Sequence, residues 1–260
     1  MKYIETHAHY NDEVYKDDLD EVLQNCKESG VEYILNVGYN VESSKISIKL
    51  SEKYDNIYSI IGIHPHDVGQ NPKDILQLYN SCNENQKNKI VAIGEMGLDY
   101  AFVKDNKEEQ KKIFIEQINI ANELKLPVVI HSRDASLDTY NIIKENKPKY
   151  GVLFHCFQPS DDLVNLVIKE GYSVAFGGNI TYKRNKSFGE YIKKIPVENI
   201  LIETDSPYLS PEPYRGKINT SANLPIILKK LAEFKEIDEE KLADIVYYNS
   251  IKFFDLYDKK

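Results

Sequence analysis

Short apolar segments alternate along this chain with longer segments of helical periodicity, and this repeat restricts the fold more than any other feature. Eight apolar runs predict strands, the first ending at His9 and the others covering 31–37, 57–63, 90–95, 127–131, 151–155, 172–176 and 200–204. Helices are predicted at 17–29, 41–54, from Pro72 onward, and at 107–124, 136–145, 161–171, 188–195, 222–234 and 239–254. This alternation is typical of α/β proteins whose parallel strands are connected by helices.

We predict a single TIM-type (β/α)8 barrel that forms one domain over residues 1–260. The 260 residues, 42% of them hydrophobic, suit a fold that commonly takes about 250 residues. An open doubly wound sheet is the alternative. That architecture would place a glycine-rich phosphate loop after the first strand, where His7-Ala8-His9 stands instead.

The same sequence predicts a cytoplasmic protein without a membrane segment. No apolar run approaches the roughly 18 residues of a spanning helix, and the chain begins with a strand instead of a basic and apolar leader. Cys26, Cys82 and Cys156 are odd in number and lack metal-type spacing, so we expect reduced thiols. No obligate protein partner is indicated.

Side chains that bind metals follow the apolar runs. His7 and His9 are two residues apart, so an extended strand projects both imidazoles from one face. Histidine or a carboxylate ends several other strands in the same way: His64, His66, Glu95, His131, His155 and Asp205. In the alternative interpretation, each histidine only caps its strand by bonding to loop backbone.

A parallel barrel would bring these residues together, because the C-terminal ends of its strands meet on one face. His7, His9, His131 and His155 with Glu95 and Asp205 supply four nitrogens and two carboxylates. We predict that this set holds two divalent metal ions with open positions for water. Such a pair suits hydrolysis, because it can generate hydroxide and stabilise charge on the attacked group.

Six sequence strings resemble, in order and over essentially the whole chain, the motifs of TatD-type metal-dependent deoxyribonucleases of the amidohydrolase superfamily. The strings are Thr6-His7-Ala8-His9, Gly62-Ile63-His64-Pro65-His66, Ile93-Gly94-Glu95-Met96-Gly97-Leu98-Asp99-Tyr100, Ile130-His131-Ser132-Arg133-Asp134-Ala135, His155-Cys156-Phe157 and Glu203-Thr204-Asp205-Ser206-Pro207. The resemblance implies a nuclease that hydrolyses DNA phosphodiester bonds, typically from a 3′ end, with Mg²⁺, Mn²⁺ or Zn²⁺.

The resemblance also implies roles for individual residues. One ion would be held by His7, His9 and Asp205, the other by His131 and His155, with Glu95 bridging them. Asp205 would act as general base, since it can accept a proton from the attacking water. His66 and Arg133 would contact phosphate, and His64 is expected to brace its loop against Pro65.

The sequence departs from the family pattern at three places, which affects substrate preference more than metal binding. Glu5 stands where aspartate is usual, Gln158-Pro159 where serine-glycine is common, and Thr220-Ser221 where a proline often follows Asn219.

A net charge of −8 argues against a general nucleic-acid coat, so any DNA contact must be local. Two basic clusters are expected on the metal side, Lys183 with Arg184 and Lys186, and Arg215 with Lys217. Seven aromatic residues fall just past strand ends, and we expect one or two of them to stack on unpaired bases and most to be packing residues: Tyr10, Tyr100, Phe102, Phe157, Tyr182, Tyr208 and Tyr214.

Three functions stay open at this level. The first is a deoxyribonuclease acting on single-stranded DNA or 3′ ends. The second is a superfamily hydrolase of a small amide, ester or lactone, whose ligand set could be nearly identical. The third is a protein that binds nucleic acid or a partner without turnover, which the complete set of ligands and base disfavours.

Overall fold

A computed structural model describes residues 1–102 and 105–257, and the predicted domain end at residue 260 lies outside them. It contains one sheet of eight parallel strands in sequential order, which forms a nearly closed TIM barrel. The strands are β1 (Tyr3–Ala8), β2 (Val31–Val37), β3 (Ile57–Ile61), β4 (Ile90–Asp99), β5 (Val128–Arg133), β6 (Val152–Phe154), β7 (Ser173–Phe176) and β8 (Ile200–Ile202). The predicted fold class is confirmed.

Helices connect the strands and complete the alternation. They are α1 (Leu19–Glu28), α2 (Val41–Lys53), α3 (Lys73–Ser81), α4 (Glu84–Lys89), α5 (Lys107–Leu124), α6 (Ser136–Asn146), α7 (Asp161–Glu170), α8 (Phe188–Lys194), α9 (Leu224–Lys235) and α10 (Glu239–Phe253). None of the helices in the described ranges is both long enough and apolar enough to cross a membrane.

Most element bounds agree with the sequence prediction to within about two residues, and two elements differ more. Helix α4 was not predicted, because its six residues are all polar and show no apolar periodicity. Asn83 initiates it through a capping box. The Asn83 side chain accepts a hydrogen bond from the Gln86 N–H, and the Gln86 side chain accepts one from the Asn83 N–H. Strand β4 continues to Asp99, past the predicted end at Glu95.

The strands separate two layers of apolar side chains. Ile34, Val128 and Val152 belong to the cluster that also contains the inner faces of the helices. Their neighbours along the strands belong to a second cluster, which fills the barrel interior: Leu35, Val129 and Leu153, together with Ile4, Val37, Ile60, Val91, Ala175 and Leu201. Alternation at every second residue is the strand period, so both strand faces are buried, as parallel sheets require.

The barrel closes between β1 and the segment after β8. The Asp205 N–H donates to the His7 carbonyl at 2.9 Å, and the His9 N–H donates to the Ser206 carbonyl at 2.7 Å. Fully buried Glu5 also links the two segments. Its carboxylate accepts hydrogen bonds from the Thr204 N–H at 2.9 Å and from the Thr204 hydroxyl at 2.6 Å. This closure places both chain regions that carry predicted ligands side by side.

Burial of Glu5 gives a testable pH dependence of stability. Burial raises the pKa of the Glu5 carboxyl from 4.5 to about 7 in the folded chain. Its stabilising contribution is therefore fully present below pH 4.5 and is lost as the pH rises through about 7. From pH 4.5 to 8, we expect the unfolding free energy of the metal-stripped protein to fall by about 3 kcal/mol relative to Glu5→Gln.

Urea denaturation of both proteins across this pH range measures the difference. Glu13→Gln, at an exposed site, is the matched control and should follow the wild-type profile. If the free energy of unfolding changed with pH in the same way for wild type and Glu5→Gln, the raised pKa of Glu5 would be contradicted.

Candidate metal centre

The six predicted ligands converge at one end of the barrel. His7 lies in β1, Glu95 in β4 and His131 in β5, whereas His9, His155 and Asp205 lie in the turns after β1, β6 and β8. All of them except His7 line a cavity of about 870 Å³, and His7 is fully buried beside it. The convergence expected of a parallel barrel is present.

One oxygen of Glu95 faces the residues at the barrel closure. Glu95 Oε1 lies 3.4 Å from His9 Nε2 and 3.7 Å from His7 Nε2. Asp205 Oδ1 approaches the same two nitrogens, at 3.4 Å from His9 and 3.9 Å from His7. These four side chains therefore present their donor atoms to a common space.

The other Glu95 oxygen faces a different set of imidazoles. Glu95 Oε2 lies 2.9 Å from His155 Nε2 and 3.8 Å from His131 Nδ1, and these two nitrogens are 3.1 Å apart. His64 Nε2 is 3.9 Å from the same oxygen. Glu95 thus lies between two groups of possible metal-ligand atoms, with one carboxylate oxygen directed toward each group.

The donor set fits divalent metal ions. With bonds of ~2.1 Å, the ligand atoms of a tetrahedral site are ~3.4 Å apart, which is close to the separations around Glu95. His7 has fully buried ring nitrogens that form no hydrogen bond within the described residues. A buried polar atom without a partner is costly, and a metal ion would satisfy His7 Nε2.

The electrostatics of the cluster also favour a cation. Burial lowers the pKa of His7, so this imidazole is neutral and free to ligate. Burial would raise the pKa of Glu95, but the charge of His155 and its hydrogen bond to Glu95 hold that pKa well below its usual range. Burial likewise opposes charge on His155, yet the carboxylates of Glu95 and Glu203 raise the pKa of its ring well above normal. Positive charge is thus already stabilised beside Glu95 Oε2.

Asp99 is a functional residue to which the sequence assigned no role. Its Oδ2 lies 3.1 Å from His131 Nε2 and 3.0 Å from His66 Nε2, so one carboxylate orients both imidazoles. The close approach of β4 and β5 requires glycine at position 97, where φ is +140° and an added Cβ would lie 2.0 Å from the His131 carbonyl oxygen. Extension of β4 beyond its predicted end places Asp99 at this site.

Glu203 is a second residue without a predicted role. It is fully buried, accepts a hydrogen bond from the Cys156 N–H and lies 3.7 Å from His155 Nδ1. Its spacing of two residues from Asp205 repeats the spacing of His7 and His9, and that signal could have revealed it.

The predicted phosphate contacts and His64 also border the cavity. His66 and exposed Arg133 line its wall. His64 does accept the His66 N–H on Nδ1 at 3.1 Å, in line with the expected bracing of the loop. The expectation is nevertheless incomplete, because His64 Nε2 also faces Glu95.

Known proteins are similar to this chain in both sequence and fold. The sequence model of a family described as TatD related DNase matches residues 4–255. YabD of Bacillus subtilis strain 168, an uncharacterized metal-dependent hydrolase, is 39% identical over 251 residues, covering 96% of this chain and 98% of YabD. YcfH of Escherichia coli K12, also an uncharacterized metal-dependent hydrolase, is 31% identical over 259 residues, covering 98% and 96%.

A solved structure agrees with these sequence matches. The crystal structure of YJJV, a TatD homolog from Escherichia coli K12, superposes with a TM-score of 0.90 at 26% identity, covering 97% of this chain and 98% of YJJV. A guanine deaminase from C. acetobutylicum, at 12% identity and a TM-score of 0.61, shares the fold alone. This chain therefore belongs to the TatD family of metal-dependent hydrolases.

Proposed function

We propose that this protein is a metal-dependent deoxyribonuclease that removes nucleotides from 3′ ends of DNA. The observation that carries the proposal is the position of Glu95, whose two oxygens face two separate groups of ligand atoms. A carboxylate so placed suits a bridge between two divalent ions, and paired ions are typical of enzymes that hydrolyse phosphodiesters.

We assign His7, His9 and Asp205 to one ion and His131 and His155 to the other, with Glu95 shared. Mg²⁺, Mn²⁺ or Zn²⁺ bound there would polarise a phosphoryl oxygen and lower the pKa of water to supply a nucleophile at neutral pH.

Asp205 is the residue that we propose as general base. Its φ of +57° turns the chain sharply after β8, and its Oδ1 lies 3.4 Å from His9 Nε2 beside the cavity. Burial opposes ionisation, but the hydrogen bond from His9 and the charge of His155 keep the pKa of Asp205 below normal. The carboxylate is therefore ionised and available to accept a proton from an attacking water.

Cationic groups on the cavity wall support a phosphate-bearing substrate. Arg133, the last residue of β5, and Arg184, which follows β7, line the same cavity as Glu95. A guanidinium donates two parallel hydrogen bonds to phosphate, which fixes both position and orientation. Because His66 Nε2 is held by Asp99, its contact with phosphate would come from Nδ1.

The two predicted basic clusters share one surface around Tyr182. The guanidinium carbon of Arg215 lies 4.8 Å from the centroid of the Tyr182 ring, and that of Arg184 lies 5.7 Å from it. We name the exposed cations of these loops the basic surface, which comprises Lys183, Arg184, Lys186, Arg215 and Lys217. This surface gives an acidic protein a local path for a DNA backbone next to the cavity.

Nuclease activity is tested by adding metals back to the metal-stripped protein with 5′-end-labelled single- and double-stranded DNA. We expect Mg²⁺, Mn²⁺ or Zn²⁺ to restore stepwise shortening from the 3′ end. Asp205→Asn should lower kcat by about 10²- to 10⁴-fold, the usual contribution of a general base. Asp244→Asn makes the same change at an exposed position of α10 and should leave kcat unchanged.

The same assay separates the remaining functions. Hydrolysis of a small ester, amide or lactone without cleavage of DNA would contradict the nuclease and support the second function. Binding of DNA without any metal-dependent turnover would contradict both enzymatic functions.

The basic surface predicts a salt dependence of DNA binding. Replacing Lys183 and Arg184 with glutamine should weaken binding and reduce the slope of log K against log salt by about 1.4, at about 0.7 per phosphate contact on a single strand. Fluorescence anisotropy with a labelled oligonucleotide at several salt concentrations measures this slope. Lys45 and Lys49, exposed on α2, form the matched control pair. An unchanged slope in the Lys183 and Arg184 variant would remove these residues from the binding path.

A further inference from the structure

The structure distinguishes among the aromatic residues that the sequence offered for base stacking. Tyr10, Phe157 and Tyr182 are buried, at 2%, 2% and 4% exposure, so these three are packing residues, as expected for most of the set. Burial follows from their packing in the barrel mouth, where the Tyr182 hydroxyl donates to the Ser210 carbonyl. Phe102 is the most exposed large apolar side chain of the described residues, at 72%.

Phe102 lies on the wall of the cavity that contains the metal-ligand candidates. Tyr208 shares this wall at 52% exposure, but its hydroxyl is tied to Asp12 at 3.0 Å. Tyr214 is 42% exposed, and the Lys217 ammonium lies 5.6 Å from its ring centroid. Phe102 therefore differs from these two tyrosines, because its exposed ring at the cavity carries no hydroxyl that could form a hydrogen bond.

The backbone at Phe102 is fixed by Asp99. Asp99 Oδ1 accepts the N–H of Phe102 at 2.9 Å and the N–H of Ala101 at 3.0 Å. The side chain of Asp99 is only 1% exposed, so these hydrogen bonds are shielded from water. An exposed aromatic residue with a fixed backbone loses little freedom when it binds a ligand.

The ring of Phe102 is supported on one face by His66. The two ring centroids are 4.5 Å apart and their planes differ by 25°, which is a stacked arrangement. His66 is itself fixed through the 3.0 Å contact of its Nε2 with Asp99 Oδ2. A single buried carboxylate thus fixes both His66 and the backbone of Phe102, and the Phe102 side chain remains 72% exposed.

The stacked rings of Phe102 and His66 are connected through Asp99 to His131, which is a metal-ligand candidate. Asp99 Oδ2, which contacts His66, is also 3.1 Å from His131 Nε2, and the other nitrogen of His131 is 3.8 Å from Glu95 Oε2. In a nucleotide, base and phosphate are separated by one sugar. Because Glu95 and Phe102 line the same cavity, a nucleotide bound there could place its phosphate near Glu95 and its base near Phe102.

We propose that Phe102, supported by His66, is a stacking platform for the unpaired base of the terminal nucleotide. The inference rests on the proposed nuclease function and assigns its substrate class, a strand end that retains its base and is free of a complementary strand. Stacking requires only a π-face, so the platform tolerates every base but gains nothing from a nucleotide that lacks one.

A comparison of two substrates with three proteins, wild type, Phe102→Ala and Phe102→Tyr, tests the platform. The substrates are single-stranded oligonucleotides whose 3′-terminal nucleotide either carries its base or is replaced by a tetrahydrofuran abasic analogue. Phe102→Ala should lower kcat/KM for the base-bearing end by about 5- to 150-fold, the usual range for base–aromatic stacking. The abasic end should change by less than about twofold. Phe102→Tyr retains the ring and should restore the wild-type preference.

Binding supplies a readout that does not depend on cleavage. A 2-aminopurine at the 3′ end should lose fluorescence when it stacks on the metal-stripped wild-type protein, and should keep its fluorescence with Phe102→Ala. Tyr248→Ala removes another exposed aromatic ring, on α10, and should behave as wild type in both assays.

The outcomes separate failure of the platform from failure of the nuclease. Cleavage by the wild type with equal losses for both ends in Phe102→Ala would overturn the platform alone. Ring-dependent quenching without cleavage would support the platform while contradicting the nuclease. No quenching and no binding of single-stranded DNA would overturn both.

Discussion

The structure depends on the burial of a carboxylate, Glu95, in the middle of a ring of imidazoles. A buried charge without compensation is costly, and here the compensation comes first from His155, whose charge and hydrogen bond hold the pKa of Glu95 well below normal. In return, Glu95 raises the pKa of His155, whose Nε2 lies 2.9 Å from Glu95 Oε2, so that the ring holds its proton more tightly. A metal ion at this position would displace that proton, and metal binding and proton release are coupled.

The second requirement is closure of the barrel, because it brings the first and last strands into contact. His7 and His9 share a set of donor atoms with Asp205 only when β1 and the turn after β8 are hydrogen-bonded to each other. Buried Glu5 stabilises this contact by accepting two hydrogen bonds from Thr204. Glu5, one of the three places at which the sequence departs from the family pattern, is therefore part of the closure and not of the ligand set.

A further layer of carboxylates positions the imidazoles. Asp99 contacts His131 and His66, and Glu203 lies beside His155. Such partners select the tautomer and fix the ring orientation of a histidine, which makes the other nitrogen a better ligand. Through Asp99, the orientation of a metal-ligand candidate and the position of the exposed Phe102 ring depend on the same carboxylate.

Much of the architecture was predictable because its signals are local and repeated. The apolar strand runs gave all eight strands, and the amphipathic pattern gave α5 with its observed bounds, Lys107–Leu124. Helix α4 was missed because capping by Asn83 initiates it, without an apolar face. The convergence of His7, His9, Glu95, His131, His155 and Asp205 followed from strand order alone.

The rest of the site depends on distances that a sequence does not contain. The role of Asp99 needs the extension of β4 and its close approach to β5 at Gly97. The division of donors between the two oxygens of Glu95 depends on the rotation of one side chain. The exposure of Phe102 and the burial of Tyr182 could not be separated by composition, since both follow strand ends in a chain rich in aromatic residues.

The most direct test of this account is a titration of the metal-stripped protein with Mn²⁺, followed by electron paramagnetic resonance. If Glu95 bridges two ions, each chain should take up two Mn²⁺ ions whose spectrum shows exchange coupling, and Glu95→Gln should abolish the coupling. Binding of a single ion, or of two ions with the spectra of isolated Mn²⁺, would contradict the bridging role of Glu95.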